Sequence, residues 1–296
     1  FCGVRALMYN SPEERAMIQS VSGNEQVPSV VVGIGSEVPP NPQPSRFRQK
    51  YNIREPFAVY VGRIDENKGC RELFNCFESY VRAAAGRLSL VLIGNSLLPI
   101  PDHPRVRHLG FVNDTDKFDA MAAAELLVMP SYFESLSMVA LEAWALGRPV
   151  VATGRCDALK GQCVRSNAGL YYETPHEFVE VLRSVEHSRW LQTWLGRNGR
   201  QYVREHYDWP VVERKYVEML ERLSNAPAPR MAPEPGWLDR RTMSCPAGAE
   251  VVAAIPAGPS ITSEPAASAG SGSAAPPPRR PASQRRRGAS SSAGGA

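Results

Sequence analysis

Two acids, Glu134 and Glu142, are separated by seven residues across the start of a predicted helix. The run Pro130-Ser131-Tyr132-Phe133-Glu134-Ser135-Leu136-Ser137-Met138 leaves an apolar stretch that ends at Met129, and Ser137 has the character of an N-cap. Free backbone N–H groups at that helix start are expected to face outward at the carboxyl end of the sheet, where the helix dipole favours anions. Carboxylates do not bind phosphate, but they accept hydrogen bonds from ribose and sugar hydroxyls. A helix start flanked by two acids suits a ligand with both a diphosphate and a polyol. The spacing alone is equally met by an ordinary helix-start acid and a solvated glutamate.

A second stretch, Val61-Gly62-Arg63-Ile64-Asp65-Glu66-Asn67-Lys68-Gly69, also follows an apolar run and precedes a helical pattern. Gly62 permits close backbone approach. Arg63 offers a forked guanidinium and Lys68 a point charge, a pair suited to a diphosphate. The pattern GxxxxGK[ST] is missing, so this is not a Walker loop. Gly94 ends a third apolar run, and backbone groups around Phe111 and Val112, after a short strand, could hold a nucleobase. Each of these signals is weak by itself.

The elements that position these residues read as an α/β fold. Residues 58–61, 88–93, 126–129 and 149–152 are continuous apolar runs, as strands covered on both faces should be. Helical patterns at 72–83, 116–124 and 138–146 alternate with them. That order implies right-handed crossovers and a Rossmann-like, doubly wound parallel sheet. Residues 30–34 read as a further strand, 13–20 as a short helix, and the proline-rich 37–46 as a loop. Helical patterns at 177–185, 190–204 and 211–223 are expected to close the domain. Trp190, Trp194 and Trp209 fall there as packing anchors, and residues 154–163 fit no element.

Composition divides the chain further. Residues 225–296 hold 12 of the 26 prolines, eight arginines and four acids. The rest holds 26 basic and 26 acidic residues, so the formal charge of +4 belongs to the tail. A balanced body argues against nucleic-acid binding. The six cysteines form no CxxC pair, and no Cys/His set has zinc-ligand spacing, so no metal is expected and the thiols read as reduced and cytoplasmic. No run of 18 apolar residues occurs. The expected layout is a remnant of an N-terminal domain and linker at 1–40, a nucleotide-binding domain at 41–188, closing helices at 189–224 and a disordered tail at 225–296. The chain opens on Phe1, and its first 28 residues are expected to be the last αβ unit of a domain otherwise absent. Gly33-Ile34-Gly35 begins like GxGxxG, but Val38 holds the third glycine's place and prolines follow, which speaks against a dehydrogenase.

Together these residues resemble the C-terminal domain of family 4 retaining glycosyltransferases of the GT-B fold. The resemblance rests on Val61-Gly62-Arg63-x4-Lys68-Gly69, Gly110-Phe111-Val112, Pro130-Ser131-x-x-Glu134-Ser135 and Glu134-x7-Glu142 with Ala143-Trp144-Ala145-Leu146-Gly147-Arg148-Pro149-Val150 following. Residues 198–209 resemble the family's closing helices. Coverage runs from about residue 5 to 223.

The resemblance implies a transfer of a sugar from a UDP- or GDP-linked donor to a glycan, lipid or small-molecule acceptor, with retained configuration and no cofactor. Arg63, Lys68 and Glu134 would be catalytic. The two cations would meet the departing diphosphate in place of a metal, and Glu134 would contact the sugar hydroxyls. Glu142 would bind the ribose, with Gly62, Gly94, Phe111, Val112, Ser135, Leu136, Ser137 and Met138 also lining the donor. Ser135 and Ser137 stand where the family often has glycine. The absent N-terminal domain would supply the acceptor side, and a lipid acceptor would bring the protein to the inner membrane surface. The competing reading is a nucleotide-sugar-binding module or partner subunit without catalysis.

Overall fold

A computed structural model describes residues 4–83, 86–226 and 253. The expected tail at 225–296 lies, from residue 227 on and apart from residue 253, outside them.

The chain begins with β1 (Leu7–Tyr9), α1 (Pro12–Ser22) and β2 (Ser29–Val31), and β1 pairs with β2 in parallel. The Ser11 hydroxyl accepts from the Glu14 N–H, and Gly23 closes α1 at φ 59°. The predicted loop at 37–46 ends earlier than expected, because Pro44 takes the first turn of α2 (Pro44–Tyr51).

The body follows as β3 (Phe57–Val61), α3 (Cys70–Ala83), β4 (Ser89–Ile93), β5 (Val106–His108), α4 (Asp114–Ala123), β6 (Leu126–Met129), α5 (Met138–Ala145), β7 (Val150–Thr153), α6 (Asp157–Ser166) and β8 (Gly169–Tyr172). Closing helices are α7 (Pro175–His187), α8 (Arg189–His206) and α9 (Trp209–Asn225). Residues 154–163, unassigned from sequence, contain most of α6. Trp190 is largely exposed and stacks on Trp194, so it is no packing anchor.

Among the described residues, β3 to β8 form one six-stranded parallel sheet in the order β5-β4-β3-β6-β7-β8. Every residue of β3, β4, β6 and β7 is buried, which is why these runs are continuously apolar. Alternate β3 residues serve opposite cores. Phe57, Val59 and Val61 join α2, α4, α5, α6 and α8 on one face. Ala58 and Tyr60 join α3 and α7 on the other. The chain winds outward from β3 to β5, then returns to place β6 on β3's other side. The topological switch point therefore lies between β3 and β6, where open α/β sheets bind ligands beyond their strand ends.

Candidate functional site

The loops that leave β3 and β6 meet at the switch point. A Cβ on Gly69 (φ 66°) would stand 2.1 Å from the Pro130 carbonyl oxygen, and the Tyr132 N–H donates to Asn67 O at 3.3 Å. Glycine at 69 lets the two loops touch. Neighbouring strand ends close similarly. Gly94 (φ 133°) presses on Gly62, where a Cβ would stand 2.0 Å from its carbonyl oxygen. The Gly62 N–H donates to Ile93 O at 2.9 Å, and the Gly94 N–H to Gly110 O at 2.8 Å. Gly62 and Gly94 thus pave the carboxyl edge, with Gly110 beside them.

Asp65 organises the first loop. One carboxylate oxygen accepts the Lys68 N–H at 2.8 Å, and the other accepts from Arg63 Nε. Burial would raise this carboxyl, but those donors outweigh it and hold the pKa below the usual value. Tyr60 adds a hydrogen bond from its hydroxyl to Arg63 O at 2.6 Å. Lys68 Nζ then crosses to the second loop and pairs with Glu134 Oε1 at 2.7 Å. Lys68 and Glu134 are brought together as the sequence suggested. Arg63 is not paired with either acid; its partner is Asp65.

Glu142, on α5, pairs with Lys117 of α4 at 3.0 Å. Its Oε2 is buried and has no partner. Burial raises the Glu142 pKa, and Lys117 only partly offsets this. An ionised carboxylate with one unpaired buried oxygen is an acceptor lacking a donor. Lys117 was not singled out in sequence. It lies one turn after Asp114 on a helix surface, where a lysine carries no distinguishing signal.

The start of α5 is as expected, with one correction. The Ser137 hydroxyl caps the Ala140 N–H at 3.2 Å. The Ser137 N–H does not face outward, because it donates to Gln162 Oε1 of α6 at 3.1 Å. Met138 and Val139, in the first turn, retain N–H groups that have no intrahelical acceptor. Leu136 and Ser137 are buried, Met138 is half-buried and Ser135 is exposed. Gln162 was also missed: a lone glutamine in an unassigned segment gives no sign of a site. It is fully buried, and its Nε2 lacks a partner.

Glu134 and Ser135 open onto a cleft of about 580 Å³, shared with Phe133, Arg155 and Cys156 and bounded by Glu13, Glu14 and Met17 of α1. Phe111, just after β5, is 79% exposed, and Val112 packs against the core. They lie at the same sheet edge, on the loop where Gly110 O receives Gly94.

The segment that carries the cation-lined loop and the acid-flanked helix start matches a known family. The model for glycosyl transferases group 1 matches residues 55–186, the segment that carries Arg63, Lys68, Glu134 and Glu142. These residues form a group 1 glycosyltransferase domain. A glycosyltransferase of Methanocaldococcus jannaschii is 25% identical over 187 residues, 59% of this chain and 47% of that protein. Sucrose-phosphate synthase from Thermosynechococcus elongatus superposes with a TM-score of 0.63 at 22% identity, covering 76% of this chain and 60% of that one. Anabaena HepE, solved in complex with UDP-glucose, gives 0.62 at 18% identity, covering 74% and 64%. The glycosyltransferase domain thus has the GT-B-type α/β architecture. The chain spans about half the length of the curated relatives it matches. Among the described residues no helix is long and apolar enough to cross a membrane.

Proposed function

We propose that this chain supplies the donor-binding half of a retaining glycosyltransferase that uses a nucleoside-diphosphate sugar. The observation that carries the reading is the junction of the β3 and β6 loops, where Lys68 meets Glu134 beside the open first turn of α5. HepE's complex with UDP-glucose supports the choice of ligand class.

In this reading the diphosphate lies between Lys68, Arg63 and the Met138 and Val139 N–H groups. As the bond from the anomeric carbon to the distal phosphate oxygen breaks, negative charge grows on that oxygen, and the preplaced cations stabilise it. An acceptor hydroxyl oxygen bonds to the same carbon and passes its proton to the departing phosphate oxygen. Glu134, already held by Lys68, accepts from sugar hydroxyls. Glu142 Oε2 takes its donor from the ribose, and Lys117 keeps that carboxylate ionised. Gly62 and Gly94 let the backbone approach the ligand, and the loop at Phe111 and Val112 borders the base.

The acceptor groups are assigned to the half of the relatives' length that this sequence does not match. Titration calorimetry of the chain with UDP, GDP and ADP tests the reading. Binding of at least one is expected, and no heat from any of them at millimolar concentration would sink it.

A further inference from the structure

The opposite, amino-terminal edge of the sheet carries a second concave site. There the residues leading into β6 and β7 face the first half of α8 across a pocket of about 560 Å³. Its wall presents Arg148, Arg189, Arg197 and Arg200 against a single carboxylate, Glu125. Among the described residues, none of the four arginines is in an ion pair.

Two of them are fixed by backbone. Arg200 donates to Leu146 O at 3.0 Å, and its guanidinium lies on Gly147, where a Cβ would stand 2.5 Å from Cζ. Gly147 (φ 71°) in turn meets Gly196, so a glycine pair brings α8 onto the end of α5. Arg148 donates to Ala122 O at 2.5 Å, yet its Nε is buried without a partner. Arg200 is accounted for as a cation at the C-terminal end of α5. That does not account for Arg189 and Arg197, whose exposed side chains have no hydrogen-bond or ion-pair partner among the described residues. Burial, aided by Arg200 and Arg48 and incompletely offset by Glu125, lowers the Arg148 pKa.

We propose that this pocket binds a phosphoryl group, at a site separate from the nucleotide crevice. Forked guanidinium donors match phosphate oxygens in pairs, and two backbone-anchored arginines with two free ones form a cradle of small-molecule size.

Titration of the full chain with pyrophosphate tests this, in a Lys68→Ala background that weakens the nucleotide crevice. Pyrophosphate is expected to bind, and Arg189→Ala with Arg197→Ala to weaken it by about tenfold or more, the loss of charge-assisted hydrogen bonds. In the otherwise unaltered chain, the same pair leaves UDP binding unchanged. Arg204→Ala, an exposed cation elsewhere on α8, leaves pyrophosphate binding unchanged and controls for net charge. Cosedimentation with phosphatidylcholine–phosphatidylglycerol vesicles, lost in the double variant, would identify a lipid headgroup as the source of the phosphoryl group. Absence of both interactions, or pyrophosphate affinity indifferent to Arg189 and Arg197, overturns the proposal.

Discussion

Lys68 and Glu142 make different demands on a ligand, and their substitutions should separate. Lys68 is a partly exposed cation whose only side-chain partner among the described residues is Glu134. In Lys68→Ala the diphosphate loses a charge-assisted bond, so UDP affinity is expected to fall roughly tenfold to a hundredfold. Calorimetry reads this directly, and an unchanged Kd would remove Lys68 from the site. In the proposed reading Glu142 is an acceptor, strongest while ionised, and burial has raised its pKa. Nucleotide affinity should therefore weaken as pH falls, beginning above the range of an ordinary glutamate, and Glu142→Gln should weaken binding and abolish that pH dependence. Stability has the opposite sign. The native state keeps this proton to higher pH than the unfolded chain, so stability declines as pH rises from the unfolded pKa through the raised one. Identical pH profiles for wild type and Glu142→Gln would refute the assignment.

The strands and helices divide by how strongly burial marks their sequence. β3, β4, β6 and β7 are covered on both faces, and their apolar runs were legible within one or two residues. β5 and β8 were not. Val106-Arg107-His108 is an edge strand, half-buried at most, and Gly169-Leu170-Tyr171-Tyr172 begins with glycine and leaves Tyr171 exposed. α6 escaped because it starts at Cys156 without a side-chain cap and carries Gly161 in its interior. The candidate site shows the same division. Glu134, Lys68 and the Ser137 cap were readable because local spacing and turn chemistry place them. Arg63's pairing with Asp65, Lys117 on Glu142 and Gln162 on Ser137 depend on side-chain directions that spacing does not set. The cap itself should contribute about 1 kcal/mol. Ser137→Ala is expected to lower Tm by about 2–4 °C in a domain of this size. Gly69→Ala is a sharper test, because its Cβ would collide with Pro130 backbone and part the two loops. UDP binding should be lost there while the six-stranded sheet stays folded by circular dichroism; retained binding would show that the loop contact is dispensable.

The two ends of the described chain close on each other. Arg5 donates to Ala226 O at 3.1 Å and also to Leu223 O, and Lys215 of α9 donates to Val32 O at 3.3 Å. Gly35 lies against the Trp209 ring and Gly33 against Tyr207. These contacts matter because β1 and β2 are three residues each, largely half-buried, and a two-stranded sheet of that size has little stability of its own. α1 adds an ion pair from Glu13 to Arg165 on α6, which is partly exposed and correspondingly weak. The first unit is therefore held to the glycosyltransferase domain from two sides, by α9 and by the packing of α1 on α6, which also sets the α1 wall of the cleft beside Glu134. Ending the chain after Asp208 removes the α9 side of that attachment and should loosen the unit. Hydrogen exchange is expected to lose protection at the amides of Val32 and Gly33, which donate to Tyr9 O, and through Leu7–Tyr9 and Ser29–Val31. β3 and β4, at the centre of the sheet, should keep theirs. Uniform loss across both sheets would mean that α9 supports the whole domain, and unchanged protection of β1 and β2 would mean that α6 alone suffices to hold them.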